Sequence, residues 1–317
     1  MRIFKTGPFR CCSKFSGKGV ALQRVMSALF EFNPSPPSLC PNCGLKLTKF
    51  GCFLRLGDKA LIPRYRCKPC KKTVSDATNS PCFGQKKRFL NFGLVKLLGA
   101  GYSQRRAALD LGVNRKTVVR KFRFLGAHIL ENWSDMHEGK PLVGHLQFDE
   151  METFEHTKLK PLSIPVAVEH STRRILGFAV CQMPARGRLA GLSVQKYGKR
   201  KDQRRQARRK LFEQLKPLLA PGATIRSDRN PHYVADVKKY FPGHVHHASK
   251  GRRGCVTGQG ELKRGGRDPL FSLNHTCAMI RENVGRLSRR TWCTTKLPQG
   301  LIYHLAIYAA NHNLRLI

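Results

Sequence analysis

Apolar positions change their spacing several times along the chain. Residues 1–37 show no sustained period and close on Asn33-Pro34-Ser35-Pro36-Pro37, which reads as a basic tail ending in a proline linker. Leu45–Leu56 and Ile62–Arg66 flank a turn at Gly57-Asp58-Lys59 and predict a β-hairpin inside a module at 38–83. Phe89, Phe92, Leu94, Leu97 and Leu98 then recur at helical spacing and predict a support helix. Ala107, Ala108 and Leu111 before Gly112, and Val118 and Val119 after it, predict two more helices within 84–133. Trp133–Pro141 is polar and reads as a linker to a last domain at 142–317. Leu142–Phe148 is strand-like and runs into Asp149 and Glu150. Two more strands are expected at Ile164–Val168 and Ile175–Val180, around a turn at His170–Arg173. A strongly basic helix at 200–219, with the run Arg208-Arg209-Lys210, a strand at Ala223–Asp228, a helix at 232–240 and a strand at Gly243–His247 follow. A helix from about Leu273 to Arg290 comes next, with helical sequence to the end.

Charge narrows the function classes. The 317 residues carry 59 Lys+Arg against 19 Asp+Glu, a net +40 at pH 7. Such a surplus repels itself in a compact fold and calls for a polyanionic partner, with nucleic acid first. At 41% hydrophobic residues the chain can bury a core, so it is not a disordered basic tail. No apolar run reaches the roughly 18–20 residues of a membrane span, and the start has no apolar stretch of secretory type. The expectation is a cytoplasmic, nucleoid-associated protein of bacterial or archaeal type, with no membrane partner. Its 12 cysteines then read as reduced thiols or metal ligands rather than disulfides.

Four of those cysteines form a pattern. Cys40-Pro-Asn-Cys43 and Cys67-Lys-Pro-Cys70 are two CxxC turns, with Gly44 free to take a knuckle turn after the first. Two such turns around a hairpin complete a tetrahedral S4 site for structural Zn²⁺, the layout of a zinc ribbon. So small a module has little core, and metal binding would supply its folding free energy.

Ser103–Phe122 has the spacing of a helix-turn-helix. Ser103 and Asn114 are suited to cap its two helices. The second helix opens Arg115-Lys116-Thr117 and continues Arg120-Lys121. Its first turn would face a major groove and its flank the phosphates of double-stranded DNA. So cationic a helix favours phosphate affinity over base readout.

The strands carry the candidate chemistry. Their order, β-β-β-α-β-α-β-α, with an Asp closing the first and fourth strands, predicts an RNase H-like α/β domain on a mixed five-stranded sheet. Asp149 and Asp228 would then meet at one sheet edge as magnesium or manganese ligands for phosphoryl transfer. Arg281, Arg286, Arg289 and Arg290 lie at helical spacings that could line a DNA track. His244, His246 and His247 read as a turn beside phosphate rather than as a metal cluster.

These motifs together resemble the IS1-like insertion-sequence transposases, of the DDE type. The resemblance rests on the Cys40–Thr73 ribbon, the helix-turn-helix, QFDEMETFEH around Asp149, SDRNPHY around Asp228, and LNHTCAMIRENVGRLSRRTWCTT near the end. It covers residues from about 38 to 313. It implies DNA cleavage and strand transfer on element ends with divalent metal, and a homo-oligomer. The third acid departs from the family pattern. Alignment of the basic run places the family's catalytic Glu at Asn274, with Glu282 and Glu261 as alternatives. An Asn carbonyl can ligate a hard cation but brings no charge. Two other readings stay open: a zinc-ribbon/helix-turn-helix regulator with an inactive catalytic domain, and a nuclease without strand joining.

Overall fold

The computed structural model describes residues 38–56, 60–75, 78, 81–250, 268–288 and 293–316. The tail at 1–37, Glu261, Arg289 and Arg290 lie outside them. The Cys-rich module is a three-stranded antiparallel sheet of β1 (Leu47–Arg55), β2 (Ala60–Cys67) and β3 (Thr73–Ser75).

Three helices follow: α1 (Leu90–Gly99), α2 (Gln104–Asp110) and α3 (Arg115–Glu131). Ser103 accepts a hydrogen bond from the Arg106 N–H, and Asn114 from the Lys116 N–H, so each helix starts on a side-chain cap. Gly112 turns between them at φ +60°. The support helix begins one residue later than its apolar pattern. Phe89 and Phe92 lie exposed, while Leu94, Val95 and Leu98 are buried.

A mixed sheet of six strands forms the second half. It comprises β4 (Val143–Phe154), β5 (Pro161–Glu169), β6 (Ile175–Phe178), β7 (Cys181–Gln182), β8 (Leu219–Asp228) and β9 (Val245–Ser249). The order is β6-β5-β4-β8-β9, and the short β7 also pairs with β5. That sixth strand corrects the expected count of five. The Val180 end of the predicted third strand is where the chain breaks from β6 and rejoins β5 as β7. β4 is antiparallel to β5 and parallel to β8. The helices are α4 (Leu189–Tyr197), which the sequence pattern did not reveal, α5 (Arg204–Leu215), α6 (Pro231–Tyr240), α7 (Phe271–Asn283) and α8 (Pro298–Arg315).

Alternation along the strands feeds two cores. Leu146, Phe148, Ala167 and Ile225 pack on Leu211, Phe212 and Leu215 of α5 and Tyr233 and Val237 of α6. Met151, Ile164, Val166 and Ile175 face the other way, into a cluster shared with α1, α2, α3, α7 and α8. The three N-terminal helices therefore share a core with the sheet rather than forming a unit behind a linker. Trp133, in the expected linker, is buried against Phe178 and donates Nε1–H to the Leu176 carbonyl at 3.1 Å. α8 is the hub, and α3 meets it at Gly126. A Cβ there would fall 2.4 Å from the Tyr303 side chain. At the edge of the sheet, Asn313 of α8 both accepts from the Ile175 N–H and donates to its carbonyl, each at 2.9 Å. The strand edge is thus capped by a side chain that copies a backbone ladder.

Candidate active site

Asp149 does not end its strand, contrary to the sequence reading. β4 continues to Phe154 because β5 pairs with it throughout. The parallel ladder between β4 and β8, however, stops at Gln147↔Arg226. Asp149 and Asp228 each lie two residues beyond that pair. They therefore hold equivalent positions, on the same face, where the two strands part. α6 begins at the end of β8, and its Tyr233 hydroxyl donates to Asp149 Oδ1 at 3.2 Å. The Glu150 N–H donates to the same oxygen at 2.7 Å. Asp228 Oδ1 accepts from the Asn230 N–H at 3.0 Å, and Asn230 in turn caps α6.

The electrostatics are those of a pair short of positive charge. Burial pushes the Asp149 carboxyl up to about 6, and the Asp228 and Glu150 charges add to the rise. The two hydrogen bonds pull the other way and lose. Burial and the same three carboxylates raise the Tyr233 phenol, so it stays a donor. Among the described residues neither Asp149 nor Asp228 has a cationic side chain within ion-pair distance. Carboxylate oxygens of this kind are the donors a hard divalent ion takes.

Glu150 points to the opposite face. Its Oε1 accepts from Arg208 at 2.7 Å and its Oε2 from Ser163 at 2.7 Å. Arg208 also donates to Asp236 of α6 at 2.7 Å and lies over the Tyr233 ring at 5.6 Å. Arg208 thus ties β4 and α6, the two elements that hold Asp149 and Tyr233. Sequence reasoning treated Arg208 as one of a basic run. Its inward face was legible, because Leu211, Phe212 and Leu215 follow it at helical spacing.

No protein-family model and no curated protein matches this chain. Assignment of its chemistry rests on the side chains themselves.

Two of the candidates for a third acid position, Asn274 and Glu282, lie on α7. Gln147 fastens that helix to β4, accepting from the Leu273 N–H and donating to the Pro269 carbonyl, both at 2.9 Å. Cys277 is within electrostatic reach of Asp149; burial raises its thiol to about 12, and the Asp149 charge contributes. Asn274 stands one turn before Cys277, on the same stripe. It is exposed, and its Nδ2 donates to Asp268 at 2.8 Å. Glu282 lies five positions beyond Cys277, about 140° around the helix. Its carbonyl is against the Gly101 loop, at the far end of α7. The helix itself ends at Asn283, short of the expected Arg290. Arg281 remains on it. Arg286 does not, and its guanidinium lies over the Phe122 ring at 5.9 Å and beside Gly300, bracing α3 against α8 rather than lining a track.

In the helix-turn-helix, Arg115, Lys116 and Arg120 are exposed and Thr117 is half-buried. Lys121 is turned inward, against expectation. It is buried and donates to Asn91 at 2.7 Å and Gln85 at 3.0 Å, and burial lowers its ammonium to about 8. The helical period explains this, since Lys121 follows Val118 by three and precedes Leu125 by four.

The four predicted cysteine ligands converge. The Sγ atoms of Cys40, Cys43, Cys67 and Cys70 all lie within 4.8 Å of one another. Three of the separations are 3.5, 3.3 and 3.6 Å. Tetrahedral zinc–thiolate bonds of ~2.3 Å require sulfurs about 3.8 Å apart, so this donor set could bind a metal such as zinc. Gly44 takes its knuckle at φ +70° and Lys71 the second at φ +57°. The Lys72 backbone N–H lowers the Cys70 thiol, while burial and the neighbouring thiols raise that of Cys67, so the cluster shares its protons. His246 bonds Ser227 at 2.9 Å, and among the described residues the histidines form no metal-ligating group.

Proposed function

We propose that this protein is a DDE-type DNA transposase of the IS1-like kind, which binds double-stranded element ends and performs metal-dependent cleavage and strand transfer. The observation that carries the reading is the equivalent placement of Asp149 and Asp228 beyond the last β4–β8 pair, without a cationic partner among the described residues. The sheet order, with an antiparallel β6-β5-β4 half and a parallel β4-β8-β9 half, supports an RNase H-like domain.

Asp149 and Asp228 would hold magnesium or manganese. The bound metal would supply Lewis-acid stabilisation of charge on the transferring phosphoryl group. Tyr233 orients Asp149 by its hydrogen bond, and Arg208 keeps the Glu150 charge balanced behind it. Asn274 is the third candidate ligand, favoured over Glu282 by its place on the Cys277 stripe. Asp268, bonded to Asn274, is an acid that the sequence reading did not weigh. The four cysteines would hold a structural zinc. Exposed Arg115, Lys116 and Arg120 would meet DNA, with Arg281 beside the catalytic helix.

The test is joining. Purified protein with Mg²⁺ should transfer a 3′-OH end of a duplex carrying the element terminus into a plasmid. Nicking without joining would assign a nuclease instead. Binding with neither step would assign a regulator, the reading that the uncharged Asn274 favours.

A further inference from the structure

The cysteine module carries a second cleft, remote in sequence from Asp149. Its volume is about 430 Å³, and Phe53, Phe83, Arg64, Lys72 and Thr73 are among its walls. Both rings are open to solvent, Phe53 at 40% and Phe83 at 62%. Large exposed aromatics in a wall of this kind call for an occupant. Among the described residues no ion pair ties the cations beside them to an acid. The module at 38–83 holds two acids, Asp58 and Asp76, among nine lysines and arginines. Arg64 has no ion pair among the described residues, and its buried Nε has no hydrogen-bond partner. Its guanidinium sits 5.6 Å from the Phe50 ring, and that of Arg66 4.8 Å, so a cation–aromatic ledge adjoins the cleft. The two CxxC knuckles tie this surface to the four-sulfur site, since Lys72 and Thr73 lie two and three residues after Cys70 and Arg64 three before Cys67.

We propose that this cleft takes an unpaired nucleotide of a DNA strand, with its base on the Phe53 and Phe83 rings and its backbone phosphate on Arg64 and Lys72. Every base offers a flat π-face, so such a site is tolerant of sequence. A duplex base is already stacked and cannot enter. The cleft would therefore favour frayed or single-stranded ends over closed helix. This inference does not rest on the catalytic reading, since it needs neither Asp149 nor divalent metal.

The experiment uses full-length protein with its zinc retained, in buffer without Mg²⁺, Mn²⁺ or chelator. Affinity is measured for a duplex with one looped-out 2-aminopurine and for the same duplex with an abasic residue there. Phosphate count is equal, so the electrostatic part cancels. The looped base should bind about tenfold tighter or better, with its fluorescence quenched by stacking. Phe53→Ala and Phe83→Ala should each remove most of that ratio while the abasic affinity holds. Phe53→Trp, which keeps a π-face, should preserve it. Each variant is checked for its zinc content, so that a collapsed module is recognised and replaced by Phe53→Leu. Equal affinity for the two duplexes in the wild-type protein would overturn the proposal. So would a ratio unchanged in both alanine variants. Competition by free dTMP at the concentration that displaces the oligonucleotide would identify a mononucleotide site instead and also overturn it. Strand joining could fail in the same preparation without touching this result.

Discussion

The Tyr233 hydroxyl donates to Asp149 Oδ1 at 3.2 Å, from a helix that starts at the end of the strand carrying Asp228. The bond joins the two halves of the carboxylate site, yet it does not offset the cost of burying Asp149. The carboxyl sits near 6, up from 3.8, so the folded chain holds a proton that the unfolded chain releases between those values. The stability from this group is present below about pH 4 and lost as pH rises to 6. Asp149→Asn should therefore stabilise metal-free protein at pH 7, by up to about 3 kcal/mol, with the gain closing near pH 4. Urea unfolding in EDTA at the two pH values checks this. A variant less stable than wild type at pH 7 would contradict it.

Arg208 is buried between Glu150 and Asp236. Its removal leaves two partly buried carboxylates without a partner. Arg208→Ala should cost about 3–5 kcal/mol by denaturant unfolding. The double change Arg208→Met with Glu150→Gln should cost less than Arg208→Ala alone. A loss under about 1 kcal/mol for Arg208→Ala would show that the pair is a surface bridge in effect.

Metal analysis should give one zinc per chain, lost on Cys67→Ser. Chelation should unfold the module at 38–83 and leave the far-ultraviolet signal of the helices largely intact, since their core lies with α8 and the sheet. Full zinc retention in Cys67→Ser would remove the assignment.

DNA binding should weaken with salt, at a log–log slope near −7 if about eight phosphates are neutralised. Exposed Arg115→Ala and Lys116→Ala should lower affinity for element ends and flatten that slope. Lys121→Met should leave the slope unchanged and act on stability, because its ammonium is spent on Asn91 and Gln85. A flatter slope for Lys121→Met would place that side chain on the DNA.

Local chemistry made much of this legible. The CxxC pairs, the Ser103 and Asn114 caps and Gly112 each act within a few residues, and each stands where its spacing put it. The strands were legible where a short apolar run is buried on both faces, as at Ile164–Val168. What failed depended on partners distant in sequence. β4 runs past Asp149 only because β5 pairs with it. Trp133 looked like linker because its partners, Phe178 and Leu176, lie more than forty residues on. Lys121 and Arg208 read as surface charge because composition outweighed helical phase. Tyr233 stood inside a quoted motif, and nothing local marks a phenol whose acceptor is 84 residues away.

Strand cleavage by Asp149→Asn with Mg²⁺ is the most direct test of the central claim. The change keeps the size and hydrogen bonding of the side chain and removes its charge. The account predicts that DNA affinity holds while cleavage of element-end duplex falls by at least about a hundredfold, since the lost group acts on the reacting charge rather than on binding. Asp149→Asn cleaving at the wild-type rate would contradict the catalytic role of the paired carboxylates.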